Sequence, residues 1–350
     1  MKNLTLIYSL LFISLLSFFS PTSALASENS VNIFNWSGYM PDAILRQFEQ
    51  ETGIKVNYST YDNNETLYAK LKANPNSGYD LVVPSTYFID RMRKQKMLHL
   101  IDKSKLTNFQ NINPGLLNKK FDPHNNYSIP FLWSTTGIVI NTKFWQKNSI
   151  KSWKDLWKNQ YYDQLFILDD VREVFSMALI ALGYSANDTK PQHIKAAFQQ
   201  LKKLMPNIKI FNAEAGKAIY IDEDVTIGMG WNGDINLANK ENSNLEFIYP
   251  EEGYVISLDS MGIPINAPHL ENAYKFINFI LRPDIAKKIS IETGYATANG
   301  EALKLLPKAL RENPITYPNN EILARGHFQT DAGSSSTLFE QYFQQLKIGG

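Results

Sequence analysis

The chain has 350 residues, with 35 Lys and Arg against 34 Asp and Glu, no Cys, and an aromatic excess of 20 Phe, 18 Tyr and 6 Trp. Near-neutral charge removes the attraction that draws basic proteins to nucleic acid or anionic membranes. Without Cys there is no thiol nucleophile, zinc–thiolate centre, disulfide scaffold or lipidated cysteine.

Residues 1–26 read as a signal peptide. Lys2 supplies the positive start, residues 4–19 are apolar apart from hydroxyl-bearing side chains, and Pro21 breaks the run. Ala24 and Ala26 are the small residues a signal peptidase reads, so cleavage is expected after Ala26 and the destination is the periplasm. The apolar run is shorter than the roughly 20 residues a bilayer-spanning helix needs. The remaining chain, 350 − 26 = 324 residues, exceeds one comfortable core and predicts two domains.

Short β-like runs then alternate with helical patterns. Residues 31–35 predict a strand, 42–51 a helix with apolar Ala43, Ile44, Leu45 and Phe48 and a cap at Gly53, and 54–58 an alternating strand. Residues 65–72 read as helix and 81–83 as a buried strand ending at Pro84. The scheme returns as strand 165–168 with helix 172–182, strand 225–229 with helix 235–240, and strand 261–263 with helix 271–281. Such alternation predicts an α/β fold with mainly parallel sheets and ligands bound beyond the strand ends. There is no short repeat and no low-complexity linker, so strands rather than a tether should join the domains.

The strand ends repeat one chemistry. Trp36, Ser37, Gly38 and Tyr39 follow the first strand, and Ser85 and Tyr87 follow residues 81–83. Asp170 and Glu173 follow residues 165–168, Trp231 follows 225–229, and Ser257 and Asp259 lie near Val255. Tyr295 and Gln329 stand in later loops. Aromatic faces attract ammonium groups by roughly 0.5–2 kcal/mol each and cover methylenes, while carboxylates supply the counter-charge that a buried ammonium requires. A linear chain bearing two or three ammonium groups suits such a set. Singly, the pieces have plainer readings: a strand-end Trp belongs to the core, Asp170 and Glu173 read as a helix capping box, and Asp259 reads as a turn residue.

With these residues on the page, the chain resembles the periplasmic spermidine/putrescine-binding proteins of bacterial polyamine ABC transporters. The likeness covers nearly all of the mature chain and is strongest at residues 51–56 (ETGIKV), 79–87 (YDLVVPSTY), 101–109 (IDKSKLTNF), 172–175 (REVF) and 277–284 (INFILRPD). It implies a two-lobed substrate-binding protein fold of type II with the ligand cleft between the lobes. The first lobe would hold residues 28–134 plus 258–303, and the second 135–257 plus 304–350. It implies that Trp36, Tyr39, Tyr87, Trp231 and Tyr295 box the methylenes, that Asp170, Glu173 and Asp259 hold ammonium groups, and that Ser37, Ser85 and Gln329 make polar contacts. Ser257 stands where the spermidine-type member has a Trp on the polyamine stem, and Gly38 where it has an acid. The implied protein is a monomer without cofactor, metal or catalytic residue. It would bind spermidine in preference to putrescine and deliver it to an inner-membrane ABC permease by closing its cleft.

Other functions fit less well. The five His residues form no catalytic or metal-binding spacing, and each reads as a surface or satisfied loop residue. Tyr161-Tyr162 is the kind of phenol pair that ferric-ion-binding proteins use, and a packing role is the plainer reading of Tyr161. A polyamine receptor that presents its closed lobes to a membrane signalling protein would carry the same pocket residues, and neighbouring genes would separate the two.

Overall fold

A computed structural model of the protein describes residues 29–212 and 216–348; the signal segment read from the sequence lies outside the described residues. Eleven strands occur among them: β1 (Ser30–Trp36), β2 (Lys55–Tyr61), β3 (Leu81–Val82), β4 (Ile129–Asn141), β5 (Leu165–Leu168), β6 (Ile208–Asn212), β7 (Ile227–Trp231), β8 (Leu245–Ile248), β9 (Tyr254–Met261), β10 (Ala296–Thr297) and β11 (Gly326–Phe328). One sheet has the order β2-β1-β3 and is wholly parallel. The other runs β11-β9-β4-β7-β5-β6, with β8 and β10 also paired to β4. This is the α/β, two-lobed type II architecture that the sequence predicts.

The parallel sheet arises from right-sized crossovers. Helix Asp42–Thr52 buries Ile44 and Phe48, one turn apart, and ends where Gly53 takes φ 68° and its N–H reaches Glu49 O. Helix Asn64–Ala73 buries Leu67 and Leu71 and is capped by the Asn63 side chain. Burial of β1 on nearly every residue follows from helices packing on both of its faces.

The second sheet differs from the sequence reading. It is mixed, because β4 runs antiparallel to β7, β8, β9 and β10. Of the predicted strand 261–263 only Met261 belongs to a strand, β9, whose body lies upstream; Gly262 makes only an isolated bridge to Val82. The thirteen residues of β4 are all buried. Its first half pairs with β9 and β10, its second half with β7 and β8. A single strand therefore belongs to both lobes, and β9 runs beside it in the opposite direction. Ser134 and Ser257, where the sequence places two lobe crossings, face each other in this register. The third expected crossing, at 303/304, falls inside helix Gly300–Leu305, which packs on helix Pro283–Thr293.

The core divides accordingly. One cluster lies between β1 and the helices of residues 270–293, with Ile33, Phe48, Phe276 and Ile289 fully buried. A larger cluster starts on the other face of the same sheet, at Phe34 and Tyr61, and continues through β4 into the second lobe.

Gly137 sets the width of this frame. A Cβ there would come within 2.4 Å of the Phe247 ring and 2.7 Å of Ile248 O, closer than packing tolerates. Gly137→Ala should therefore lower stability by about 1–3 kcal/mol, read as a drop in the urea midpoint with an unchanged slope; an unchanged midpoint would show that β4 and β8 shift apart freely.

Candidate functional site

A cavity of about 390 Å³ lies where the two lobes meet, lined by Trp36, Ser37, Gly38, Tyr39, Ser85, Tyr87, Asp170, Glu173, Trp231, Ser257, Asp259 and Tyr295 among others. Eleven of the twelve ligand residues inferred from the sequence are thus brought to one space. Gln329 is not on this wall. It is buried, and its amide donates to Ser176 Oγ at 3.2 Å, because helix Val171–Ala181 offers it a partner away from the cavity.

The first-lobe wall is held by short hydrogen bonds from strand ends. Asp259 lies within β9, not in a turn. Ser85 Oγ donates to its Oδ1 at 2.5 Å and Tyr39 OH to its Oδ2 at 2.9 Å. Asn64 fixes Ser85 and Tyr87 together, donating to Ser85 Oγ and Tyr87 OH at 3.2 Å each and accepting from Ser85 N at 3.0 Å. Trp36 Nε1 and Tyr61 OH both donate to Val83 O, at 2.8 and 2.7 Å, which sets the tilt of both rings. Ser37 is turned toward Asp62, donating at 2.8 Å. Asp62 and Gly38 both line the mouth, so an acid stands close to the position where the sequence lacks one.

The second-lobe wall is the start of helix Val171–Ala181. Asp170 is its cap, and its Oδ1 accepts from Arg172 N at 2.8 Å and Glu173 N at 2.9 Å. The expected capping box is only half formed, because Glu173 does not reach back. Its Oε1 accepts from Ser257 Oγ at a long 3.4 Å, and its buried Oε2 has no hydrogen-bond partner. Glu173 is only 4% exposed. Arg172 is equally buried, donates to Thr330 O at 3.2 Å, and lies over the rings of Tyr87 and Phe339 at 5.2 and 5.4 Å.

The remaining wall joins the lobes. Tyr295 OH donates to Asp234 Oδ1 at 2.9 Å, and its ring lies 5.0 Å from that of Tyr39. Gly233 permits this approach: a Cβ there would meet the Tyr295 ring at 2.3 Å. Asp234 and Tyr61 line the cavity and were missed by the sequence reading. Asp234 sits in the first turn of helix Asn232–Glu241, where an acid is an ordinary complement to the helix dipole and gives no separate signal.

Six carboxylates thus line one space, the exposed Asp62 and Glu292 besides Asp170, Glu173, Asp234 and Asp259, and every hydrogen-bond partner given to the last four is neutral. Burial pushes the Glu173 carboxyl up to about 8, and the charge of Asp170 adds to the rise. Burial pushes Asp259 up to about 6, against the hydrogen bonds from Ser85 and Tyr39. Asp234 is likewise pushed up by burial to about 6, against its bond from Tyr295 and the charge of Lys217 at the rim. Asp170 is raised by burial, against its two backbone N–H bonds. Carboxyls held reluctant to ionise between aromatic rings are arranged for an incoming cation.

The rival features are placed elsewhere. Tyr161 is fully buried, edge-on to Trp145 at 5.0 Å, whereas Tyr162 is 69% exposed, so the two phenols do not converge. His193 and His269 bond Asp188 and Asp80 at 2.7 and 3.0 Å, and His99 Nδ1 lies 2.7 Å from Leu100 O.

Comparison with known proteins agrees with this geometry. The family of bacterial extracellular solute-binding proteins matches over residues 43–318. The spermidine/putrescine-binding periplasmic protein of Salmonella typhimurium is 48% identical over 94% of this chain and 94% of its own length. The protein of the same description from Escherichia coli is 48% identical over 92% of each chain. The crystal structure of the spermidine/putrescine ABC transporter substrate-binding protein of Streptococcus pneumoniae superposes with a TM-score of 0.79 at 36% identity, covering 91% of this chain and 98% of its own.

The raised carboxyls make stability depend on pH. Below the usual Glu value of about 4.5, folded and unfolded chains both hold the Glu173 proton and it contributes nothing. As pH rises toward 8 the unfolded chain releases that proton while the folded chain keeps it, so stability falls across this window and levels off above it. Asp259 and Asp234 add slope up to about pH 6. Ligand-free Glu173→Gln should therefore melt above wild type at pH 8 and level with it near pH 4.5. Equal melting points at both pH values would show that Glu173 is not held neutral.

Proposed function

The chain belongs to the bacterial extracellular solute-binding proteins, among the spermidine/putrescine-binding periplasmic proteins, and we propose that it binds a polyamine in the periplasm and delivers it to an inner-membrane ABC permease. It is a solute-binding protein and not an enzyme. The observation that carries the ligand class is the set of four carboxylates, Asp170, Glu173, Asp234 and Asp259, facing an aromatic-walled cavity with only neutral hydrogen-bond partners. Ammonium groups supply the missing charge, and Trp36, Tyr39, Tyr87, Trp231 and Tyr295 cover the methylenes between them. More than two acids favours spermidine over putrescine. The proposed ligand residues remain those of the sequence reading, less Gln329 and with Asp234 added.

Two sets of contacts support a closing cleft with lobes divided near Ser134 and Ser257. On one side Tyr295 bonds Asp234. On the other Arg91 Nε pairs with Asp331 Oδ1 at 3.0 Å, and Asp331 N donates to Asp90 at 3.4 Å. Ligand that bridges both walls favours the closed arrangement by the difference in its affinity for the two forms. Permease recognition of the closed lobes follows from the same reading.

Titration calorimetry with spermidine and putrescine at low salt tests the function. Low-micromolar binding, about −8 kcal/mol, is expected for spermidine, with putrescine weaker; no heat and no thermal shift with either would overturn it. Asp259→Asn keeps the shape, removes the charge, and should cost about 1.5–3 kcal/mol of affinity. An affinity indifferent to that change, with the fold intact, removes Asp259 from the site. Affinity should also rise between pH 5 and 8, because the complex needs ionised carboxylates that the empty cavity keeps protonated.

Closure has its own test. Asp331 does not line the cavity, so Asp331→Asn should weaken spermidine by about 1 kcal/mol only through loss of the inter-lobe pair, and the ligand-induced shrinkage seen by small-angle scattering should diminish. Unchanged affinity and dimensions would mean that this contact does not contribute to closing.

A further inference from the structure

Among the described residues that line the cavity, Lys217 alone is basic. It lies on helix Gly216–Ile221 and is exposed. Among the described residues it forms no hydrogen bond or ion pair, either with Asp234 or with the exposed Glu292 on the same rim. A site for ammonium groups has no need of a lysine, and an ammonium fixed in its wall opposes those of the ligand.

The contacts along the wall place Lys217 at one end. Asp259 stands in the middle, bonded by Ser85 on one side and Tyr39 on the other. From Ser85 the wall continues through Asn64 to Tyr87, whose ring lies against Arg172, between Asp170 and Glu173 in sequence. From Tyr39 it continues through the ring of Tyr295 to Asp234. The acids separate in the same way. The charge of Asp170 raises both Glu173 and Asp259, so these three lie within reach of one another. The charge felt at Asp234 is that of Lys217. The cavity thus has an acid pair at one end, an acid in the middle, and at the far end an acid with a cation already beside it.

A linear triamine brings its ammonium groups in turn to Asp170 with Glu173, to Asp259 and to Asp234. A linear tetraamine continues past Asp234, and its last ammonium meets Lys217. Two like charges at about 4 Å oppose each other by about 1 kcal/mol in water and by more where the lobes exclude water. The rim is exposed there, so charge and not lack of room limits the chain.

Resting on the polyamine reading above, we propose that Lys217 sets the upper limit of the ligand. It closes the Asp234 end of the cleft to a fourth ammonium, so that the preferred class is a linear triamine and a linear tetraamine is turned away by its charge.

Titration calorimetry on the mature protein, with spermidine and spermine at low salt, tests this. Wild type should bind spermine about tenfold more weakly than spermidine. Lys217→Gln removes the charge from an exposed position. It should tighten spermine about tenfold and spermidine by no more than about threefold, since solvent and salt screen Lys217 from ammonium groups further along the cleft. Lys217→Arg keeps the charge and should keep the wild-type ratio. Wild-type protein that binds spermine as tightly as spermidine overturns this inference and leaves the function standing. So does a Lys217→Gln variant in which both ligands tighten by the same factor, because Lys217 then acts only through the overall charge of the cleft. Failure of both ligands on wild type overturns the function and this inference together.

Discussion

The constraint on which this protein turns is negative charge held out of water without a counter-ion. Glu173 and Asp259 are buried, Asp170 and Asp234 partly so, and the groups that bond them are hydroxyls and backbone amides. Desolvating a carboxylate is far more costly than a neutral hydrogen bond repays, so the empty cavity relieves itself by keeping protons. An ammonium ligand relieves it better. On the proposed function, binding, proton release and closure would be linked through the same carboxylates, since closing over an unneutralised set would worsen the desolvation and closing over a neutralised one would not.

The scaffold meets this constraint through a single strand pair. β4 and β9 pass from one lobe to the other side by side, and the groups facing the cavity from them, Ser134, Ser257 and Asp259, stand where both lobes share backbone. Most of the other groups reach the cavity from a strand end or a helix start: Trp36 and Tyr39 after β1, Ser85 and Tyr87 after β3, Asp170 and Glu173 after β5, Trp231 and Asp234 at the end of β7, while Tyr295 follows the end of helix Pro283–Thr293.

Much of this was legible in the sequence, and the gaps have physical causes. β1, β5 and helix Asp42–Thr52 were readable within a residue or two, because period and caps agree. β4 was not, although it is the longest strand: with all thirteen residues buried it shows neither alternation nor a polar face, and hydroxyls at Ser134, Thr135 and Thr136 dilute its apolar run. Missing β4 concealed the antiparallel half of the second sheet. Among site residues, Trp36, Tyr39, Tyr87, Asp170, Glu173, Trp231, Asp259 and Tyr295 could be drawn together only by adding the family resemblance to the strand-end pattern. Asp234 escaped because an acid in a first helical turn is unremarkable. Gln329 lies off the cavity wall with its amide on Ser176, because a residue's place in a family pattern does not reveal which neighbour its side chain bonds.

Arg172 presents the remaining question, since a buried guanidinium beside four acids could be expected to neutralise them. Its geometry prevents this. The fork donates to the Thr330 carbonyl and lies against Tyr87 and Phe339, while the Asp170 oxygen that faces its own backbone is already filled by two N–H groups. The charge therefore acts at a distance, and burial makes Arg172 itself reluctant to hold its proton. What it fixes is Tyr87: a cation on one ring face orients that phenol, and Asn64 holds its hydroxyl. Arg172 also ties the second lobe to a ring of the first, beside the Arg91–Asp331 pair. A buried cation held by a carbonyl and two rings leaves the carboxylates without a direct ionic partner, which a salt bridge inside the cavity would not have done.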